Sequence, residues 1–206
     1  MLLVGGWNPG DPGSGGIFLD SVYLFDLKDL SSQEMAPVPG GPVSRHAACT
    51  VGNRVVVITF RGVLVWDGEG DSLREQPTTG EGPEGLSMWM AGTLARNSGE
   101  VRTDDAAGHF LRCAVTALGG SELLVFGGST REQRMSSDAF VLDTESWAWR
   151  KLKVAPGSAA PTPRASSCAA PVDADRCVVF GGAGLGGDGY DARALGLSAA
   201  EAPGRG

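Results

Sequence analysis

A short apolar segment that ends in a pair of glycines recurs along the chain, and this recurrence constrains the fold more than any other feature. Residues 123–128 and 178–182 are two copies, whose first glycines are 54 positions apart, and residues 2–6 are a third. A fourth copy, residues 57–62, has Arg61 at the place of the first glycine. Such a period predicts a domain built from stacked repeat units.

Two further elements accompany the glycine pairs. Upstream, a basic or imidazole residue stands four positions before a cysteine in three copies, as the pairs Arg45 and Cys49, His109 and Cys113, and Arg164 and Cys168. Downstream, an apolar run ends in aspartate at three places, Asp26, Asp67 and Asp143. In the third copy an outer segment containing Trp149 follows. Each copy therefore predicts four short antiparallel strands, with the aspartate starting the last turn.

Four strands in a period near 50, with a glycine pair and a later tryptophan, resemble the kelch repeat. The resemblance implies an all-β fold, a partial kelch-type β-propeller of about four blades of four antiparallel strands, the first and last incomplete. Trp149 is expected to pack between blades. The implied structural repeat positions are Gly5, Gly6, Gly62, Gly127, Gly128, Gly181, Gly182, Asp26, Asp67, Asp143 and Trp149.

The repeat spacing also predicts how the chain is divided. The expected segments are a first blade without its inner strand (1–40), a degenerate second blade (41–84), an inserted loop (85–108), a third blade (109–158), a fourth blade without its outer strand (159–198) and a disordered tail (199–206). Incomplete blades leave open strand edges. We therefore expect either a fragment of a longer propeller or completion by another chain, including self-association.

Charge and hydropathy exclude several classes of function. The net charge is −7 and the basic residues are scattered, which argues against nucleic acid as a partner. The longest apolar stretch, residues 55–60, is far shorter than a membrane span needs. The first residues lack the basic start of a signal peptide, so a cytoplasmic protein is the expectation.

Candidate chemical sites are weak in this sequence. The cysteines lack paired metal-ligand spacing, so we interpret them as core residues and predict neither metal nor cofactor. Residues 182–187 fit G-x-G-x-x-G, but the helix, second strand and acidic residue of a dinucleotide site do not follow. A copper site of the kind found in one kelch-like oxidase family would need two histidines and two tyrosines, here His46, His109, Tyr23 and Tyr190, and no local motif of that family is present.

The arginine at the start of the first strand is the stronger functional candidate. In peptide-binding kelch proteins this arginine commonly faces the partner, and the resemblance carries that role to Arg45 and Arg164, with His46 beside Arg45. Trp89 in the inserted loop is a further candidate. Converging arginines would attract an acidic peptide. Equally, an arginine here could bond carbonyl groups of a neighbouring blade.

These observations predict a non-catalytic protein–protein interaction scaffold or adaptor that binds a partner protein or peptide through loops on one propeller face. Two alternatives stay open. One is a small-molecule enzyme on a propeller, of the isomerase, specifier or oxidase type, which requires a pocket with convergent polar groups. The other is a nonfunctional fragment of a longer kelch protein.

Overall fold

The computed structural model describes residues 1–10, 16–83, 112–129, 135–153, 161–174, 176–184 and 197–198. These ranges contain fifteen β-strands and no helix. The strands are β1 (Leu2–Asn8), β2 (Ile17–Phe25), β3 (Ser32–Glu34), β4 (Ala47–Val51), β5 (Arg54–Thr59), β6 (Gly62–Trp66), β7 (Arg74–Gln76), β8 (Thr79–Gly80), β9 (Ala114–Ala117), β10 (Glu122–Phe126), β11 (Ala139–Asp143), β12 (Ala148–Lys151), β13 (Cys168–Pro171), β14 (Arg176–Phe180) and β15 (Leu197–Ser198). The expected inserted loop, with Trp89, and the expected tail lie outside the described residues.

The strands form four sheets. The first sheet has the order β1-β2-β3, the second β4-β5-β6-β7, the third β8-β12-β11-β10-β9 and the fourth β13-β14-β15. Neighbouring strands are antiparallel throughout, except that β8 pairs with β12 in parallel. The all-β class expected from the sequence is confirmed, and the series of antiparallel sheets agrees with a partial kelch propeller. The described residues contain no helix that is long and apolar enough to cross a membrane.

Apolar clusters lie between successive sheets, because alternate residues of each strand point to opposite faces. Between the first and second sheets the cluster contains Val4, Val22, Met35, Val38, Val43, Val57, Leu64 and Leu73. Between the second and third it contains Val51, Val56, Ile58, Val63, Val65, Cys113, Leu123, Val125, Phe140, Leu142 and Trp149. Between the third and fourth it contains Leu118, Leu124, Phe126, Ala139, Val141, Cys177 and Val179. The sheets therefore stack face to face in chain order.

The outer edge of the third sheet carries an addition that the sequence did not suggest. Thr79 and Gly80 of β8 pair in parallel with Ala148 and Trp149, and the Thr79 amide donates to the carbonyl oxygen of Trp147 at 2.9 Å. The segment that leaves the second sheet thus lies along the third. This contact joins the two sheets at the outer strand β12, and the apolar cluster joins their faces.

Strand pairing defines equivalent positions in three sheets. Ala47 of β4 lies opposite Ile58, Ala114 of β9 opposite Phe126, and Cys168 of β13 opposite Phe180. Since Phe126 and Phe180 directly precede the glycine pairs, the equivalent pair in the second sheet is the one that follows Ile58. Those residues are threonine and phenylalanine, at positions 59 and 60.

The alignment of Arg61 and Gly62 with the glycine pairs is therefore wrong by two positions. Thr59 pairs with Gly62 across a two-residue turn made by Phe60 and Arg61, so Gly62 begins β6. Its φ of 141° suits a glycine at a tight hairpin. The sequence was misleading because a hairpin glycine and a glycine at a sheet junction look alike in one dimension.

The cysteines do not share one core position, contrary to expectation. Cys168 is exposed and Cys49 is half-buried, while Cys113 and Cys177 are buried. Cys49 lies two residues beyond the position equivalent to Cys168, and Cys113 lies one residue before it. Burial raises the pKa of the Cys113 thiol to about 12, so this thiol behaves as a small apolar side chain.

The three aspartates stand at one register position. Each lies four residues after the strand partner of an equivalent residue, namely Val4, Ile58 or Phe126. The Asp26 carboxylate accepts the Lys28 amide at 2.8 Å, and Asp143 accepts the amides of Glu145 and Ser146 at 2.8 and 2.9 Å. These bonds hold the turn before the outer strand. Asp67 differs, because its carboxylate pairs with two arginines, Arg54 at 3.1 Å and Arg74 at 2.9 Å.

Candidate partner-binding face

Three residues with left-handed backbone mark the starts of the inner strands. Arg45, Arg112 and Ser166 have φ values of 56°, 64° and 58°, and each precedes the first residue of its strand's pairing by two positions. The Arg112 amide donates to the Arg45 carbonyl oxygen at 3.1 Å, and the Ser166 amide donates to the Arg112 carbonyl oxygen at 2.8 Å. We call these three residues the inner arc. They join the second, third and fourth sheets edge to edge.

The arginine side chains of the inner arc lie at the surface of the described structure. Arg45 and Arg112 are both exposed, and neither guanidinium makes a hydrogen bond or ion pair within the described ranges. A left-handed backbone costs a residue with a Cβ atom about 1–2 kcal/mol, and arginine has no special preference for it. The backbone alone therefore does not account for arginine at these two positions, and such outliers are often found at binding sites.

Arg164 lies elsewhere. It is two residues before Ser166 and only 4% exposed, and its guanidinium donates to the carbonyl oxygen and hydroxyl of Thr162 and to the carbonyl oxygen of Gly181 at 3.0 Å. Its own carbonyl oxygen accepts the Gly128 amide at 2.9 Å. Arg164 is thus a bridge between the third and fourth sheets, at the position that Val43 has between the first and second.

Spacing from the cysteines pointed to His109 as the equivalent of Arg45. The structure has Arg112 at that position in the inner arc, and His109 lies outside the described residues. Counting back from the strand rather than from the cysteine would have found it, since Arg45 and Arg112 each stand two residues before the alanine that begins a strand. The cysteine was a poor reference because it occupies a different position in each sheet.

His46 is the residue after Arg45 of the inner arc. The side chain is half-buried, and its Nδ1 atom is buried without a partner among the described residues. Burial lowers the pKa of the imidazole below its usual 6.5, and a hydrogen bond with the Val4 backbone opposes this only in part. The lowered pKa favours the neutral imidazole, so we do not count His46 among the charges of the arc. Trp89, the remaining candidate, lies outside the described residues.

Arg61 is a residue whose role the repeat pattern concealed. Its guanidinium donates to three successive carbonyl oxygens, those of Gly40, Gly41 and Pro42, the last at 3.1 Å. The guanidinium carbon also lies 5.2 Å from the centre of the Phe60 ring. These residues belong to the link between the first and second sheets. Arg61 therefore holds this link against the second sheet.

A pocket of about 170 Å³ lies beside Arg61, between Pro39, Glu75 and Gln76. Small-molecule sites usually have about 300–1,000 Å³ and several convergent polar groups. Arg61 is already bonded to backbone oxygens here, so the pocket gives no support to a substrate site. Within the described ranges, no three histidine, cysteine, aspartate or glutamate side chains come together as metal ligands.

We expect Arg61→Ala to lower the free energy of unfolding by about 2 kcal/mol, because hydrogen bonds from a charged donor to three oxygens are lost. Arg61→Lys should lose about half as much, since one ammonium group cannot replace a planar fork. Urea titration measures both. Arg176→Ala is the control, because Arg176 forms an exposed ion pair with Asp173, and we expect the free energy of unfolding to change little. Equal losses at the two sites would contradict the role given to Arg61.

Comparison with known proteins agrees with this architecture at the third sheet. Residues 110–156 match the family model described as the Kelch motif. This segment is similar to the Kelch motif. It spans β9 to β12, the four antiparallel strands of the third sheet, so the kelch resemblance of the third copy is confirmed. A kelch motif is typical of repeat domains that bind other proteins.

A second similarity is to Dynein regulatory complex subunit 7 of Chlamydomonas reinhardtii, which is 40% identical over 67 residues. The match covers 32% of this chain and 6% of that protein. The similarity thus covers only a small part of this relative's length.

Proposed function

We propose that this chain is a non-catalytic interaction scaffold or adaptor that binds an acidic segment of a partner protein through the inner arc. The observation that carries the proposal is the pair Arg45 and Arg112. Their guanidinium groups are exposed on neighbouring sheets, and the bond between the Arg112 amide and the Arg45 carbonyl oxygen keeps their backbones in register. Two forked donors carried by hydrogen-bonded backbone segments favour a ligand with two carboxylates.

The charge of the whole chain narrows the ligand. Because the net charge is −7, a large acidic partner would be repelled at long range, and attraction is confined to short distances around the arc. A short acidic peptide or loop therefore fits better than an acidic domain. The similarity to one part of a dynein regulatory complex subunit supports an adaptor within a larger assembly. A cytoplasmic location stays a prediction of the sequence.

The test is binding of the purified chain to an array of acidic peptides, each with two carboxylates. We expect Arg45→Ala and Arg112→Ala to weaken the tightest peptide about tenfold each, since a hydrogen-bonded charge pair contributes about 1.5–3 kcal/mol. The double variant Arg150→Ala with Arg176→Ala is the control. It removes two positive charges, as the double variant Arg45→Ala with Arg112→Ala does, but at exposed positions outside the arc, where each arginine pairs with its own carboxylate.

An equal loss in the control double variant would show a general charge effect and contradict the inner arc as the site. Absence of binding to every acidic peptide would contradict the proposed ligand class. Retained binding in the variant that lacks both Arg45 and Arg112 would move the site elsewhere.

We also propose that the chain associates with itself. The first and fourth sheets each have one face against which no described residue of another sheet packs.

A further inference from the structure

Each inner sheet of the series has two distinct faces. In the third sheet, Leu123 and Val125 face the second sheet, whereas Leu124 and Phe126 face the fourth. We call the first kind the preceding face and the second kind the following face. In the described structure the series begins with an uncovered preceding face on the first sheet and ends with an uncovered following face on the fourth.

Each uncovered face carries exposed apolar side chains. On the first sheet, Leu3 is 49% exposed and lies directly opposite Tyr23, whose ring centre is 6.4 Å from that of Phe25. On the fourth sheet, Phe180 is 60% exposed and lies opposite the exposed Cys168. Directly opposed residues of an antiparallel pair share a face, so each set forms one patch.

The two patches correspond to the two halves of a contact that the fold already makes. Phe180 is equivalent to Phe126, because each directly precedes a glycine pair, and Phe126 packs in one cluster with Val179. Leu3 is in turn equivalent to Val179, since each stands one residue earlier on the same strand. The face that Phe180 needs is therefore of the kind that Leu3 presents.

We infer that two copies of this chain stack head to tail, the Phe180 face of each against the Leu3 face of the other. This inference rests on the self-association proposed above and is independent of the acidic ligand. A second copy of the chain presents both kinds of face, so it can cover both uncovered faces. Two such contacts related by a two-fold axis form a closed ring of eight sheets, within the range of about 4–8 blades that propellers have.

Light scattering on the purified full chain tests the inference. The wild-type protein is expected at twice 21.2 kDa. Leu3→Lys and Phe180→Glu each place a charge in both contacts of the ring, so each variant is expected as a monomer with an unchanged circular dichroism spectrum. Leu30→Lys is the matched control, because Leu30 is 74% exposed in a turn outside both faces, and it is expected to remain a dimer.

Mixing the two variants is the decisive step. In a mixed pair, one contact carries both new charges, lysine against glutamate, and the other contact is wild type. We therefore expect the mixture of Leu3→Lys and Phe180→Glu to regain the dimer mass, which a contact between two identical faces would not do. A monomeric wild-type chain, a variant that dimerises alone, or a mixture that stays monomeric would each overturn the inference.

The thiol of Cys168 supplies a second readout, because it lies on the Phe180 face. Maleimide labelling of Cys168, identified by peptide mass, should be several-fold slower in the wild-type dimer than in the Phe180→Glu monomer. Equal rates would overturn the contact. Peptide binding by the inner arc can be measured on the monomeric variants, so failure of the ring and failure of the proposed ligand are separate results.

Discussion

Trp149→Ala is expected to lower the free energy of unfolding by about 4 kcal/mol. Trp149 is 5% exposed and belongs to the apolar cluster between the second and third sheets. Its indole also lies against Gly82 of the segment that follows β8, where an added methyl group would come within 2.9 Å of the ring. Removing the ring opens a cavity between two sheets that the surrounding strands cannot fill, and such substitutions cost about 3–5 kcal/mol.

Two further variants separate packing from other effects. The indole nitrogen of Trp149 is buried without a hydrogen-bond partner among the described residues, so Trp149→Phe keeps most of the packing and loses no bond. We expect it to cost about 1 kcal/mol. Trp7→Ala is the control at a tryptophan that is 56% exposed, with a loss of no more than about 1 kcal/mol. Urea unfolding of all three variants measures their losses in free energy of unfolding. A Trp149→Ala protein as stable as Trp7→Ala would refute the packing role of Trp149.

The strand pattern and its repetition were predictable because they follow from simple physics. Short runs such as Leu123–Phe126 alternate between two apolar faces, and a strand that is apolar on both faces must be covered on both. Repeated copies of such strands leave stacking as the way to bury them. Asp26 and Asp143 mark turns because a carboxylate can accept backbone amides locally.

The junctions between sheets were less predictable, because they depend on contacts between residues far apart in sequence. Arg112 and Arg45 are joined by one backbone bond across 67 positions. Ranking Arg164 with Arg45 followed from spacing to a cysteine, and hairpin turns of unequal length break such spacing. Pairing register, which defines equivalence in a sheet, is a property of hydrogen bonds and is not written in residue types.

The parallel addition of β8 shows the same limit more clearly. Thr79 and Gly80 have no apolar alternation and no β-branched run, so nothing local marks them as a strand. They are ordered by the outer edge of the third sheet, which offers unpaired backbone groups at Trp147 and Trp149. An edge of this kind can form backbone hydrogen bonds with any segment that the chain brings near it.

Gly127→Ala is expected to lower the free energy of unfolding by about 3 kcal/mol. Gly127 has a φ of 65°, which costs a residue with a side chain about 1–2 kcal/mol. A Cβ atom would in addition lie 2.5 Å from the Arg164 carbonyl oxygen, which is backbone and cannot move without losing its bond to the Gly128 amide. The loss of that bond adds about 1 kcal/mol or more.

Gly181→Ala is the matched control, since Gly181 is the first glycine of the pair in the fourth sheet and has nearly the same φ, 68°. No atom of the described structure lies within 4 Å of its added Cβ atom, so only the backbone cost of about 1–2 kcal/mol remains. Urea titrations should therefore separate the two variants by about 1–2 kcal/mol. If both lost the same stability, glycine would be needed at this repeat position for its backbone conformation alone, and the close approach of successive sheets would not be its cause.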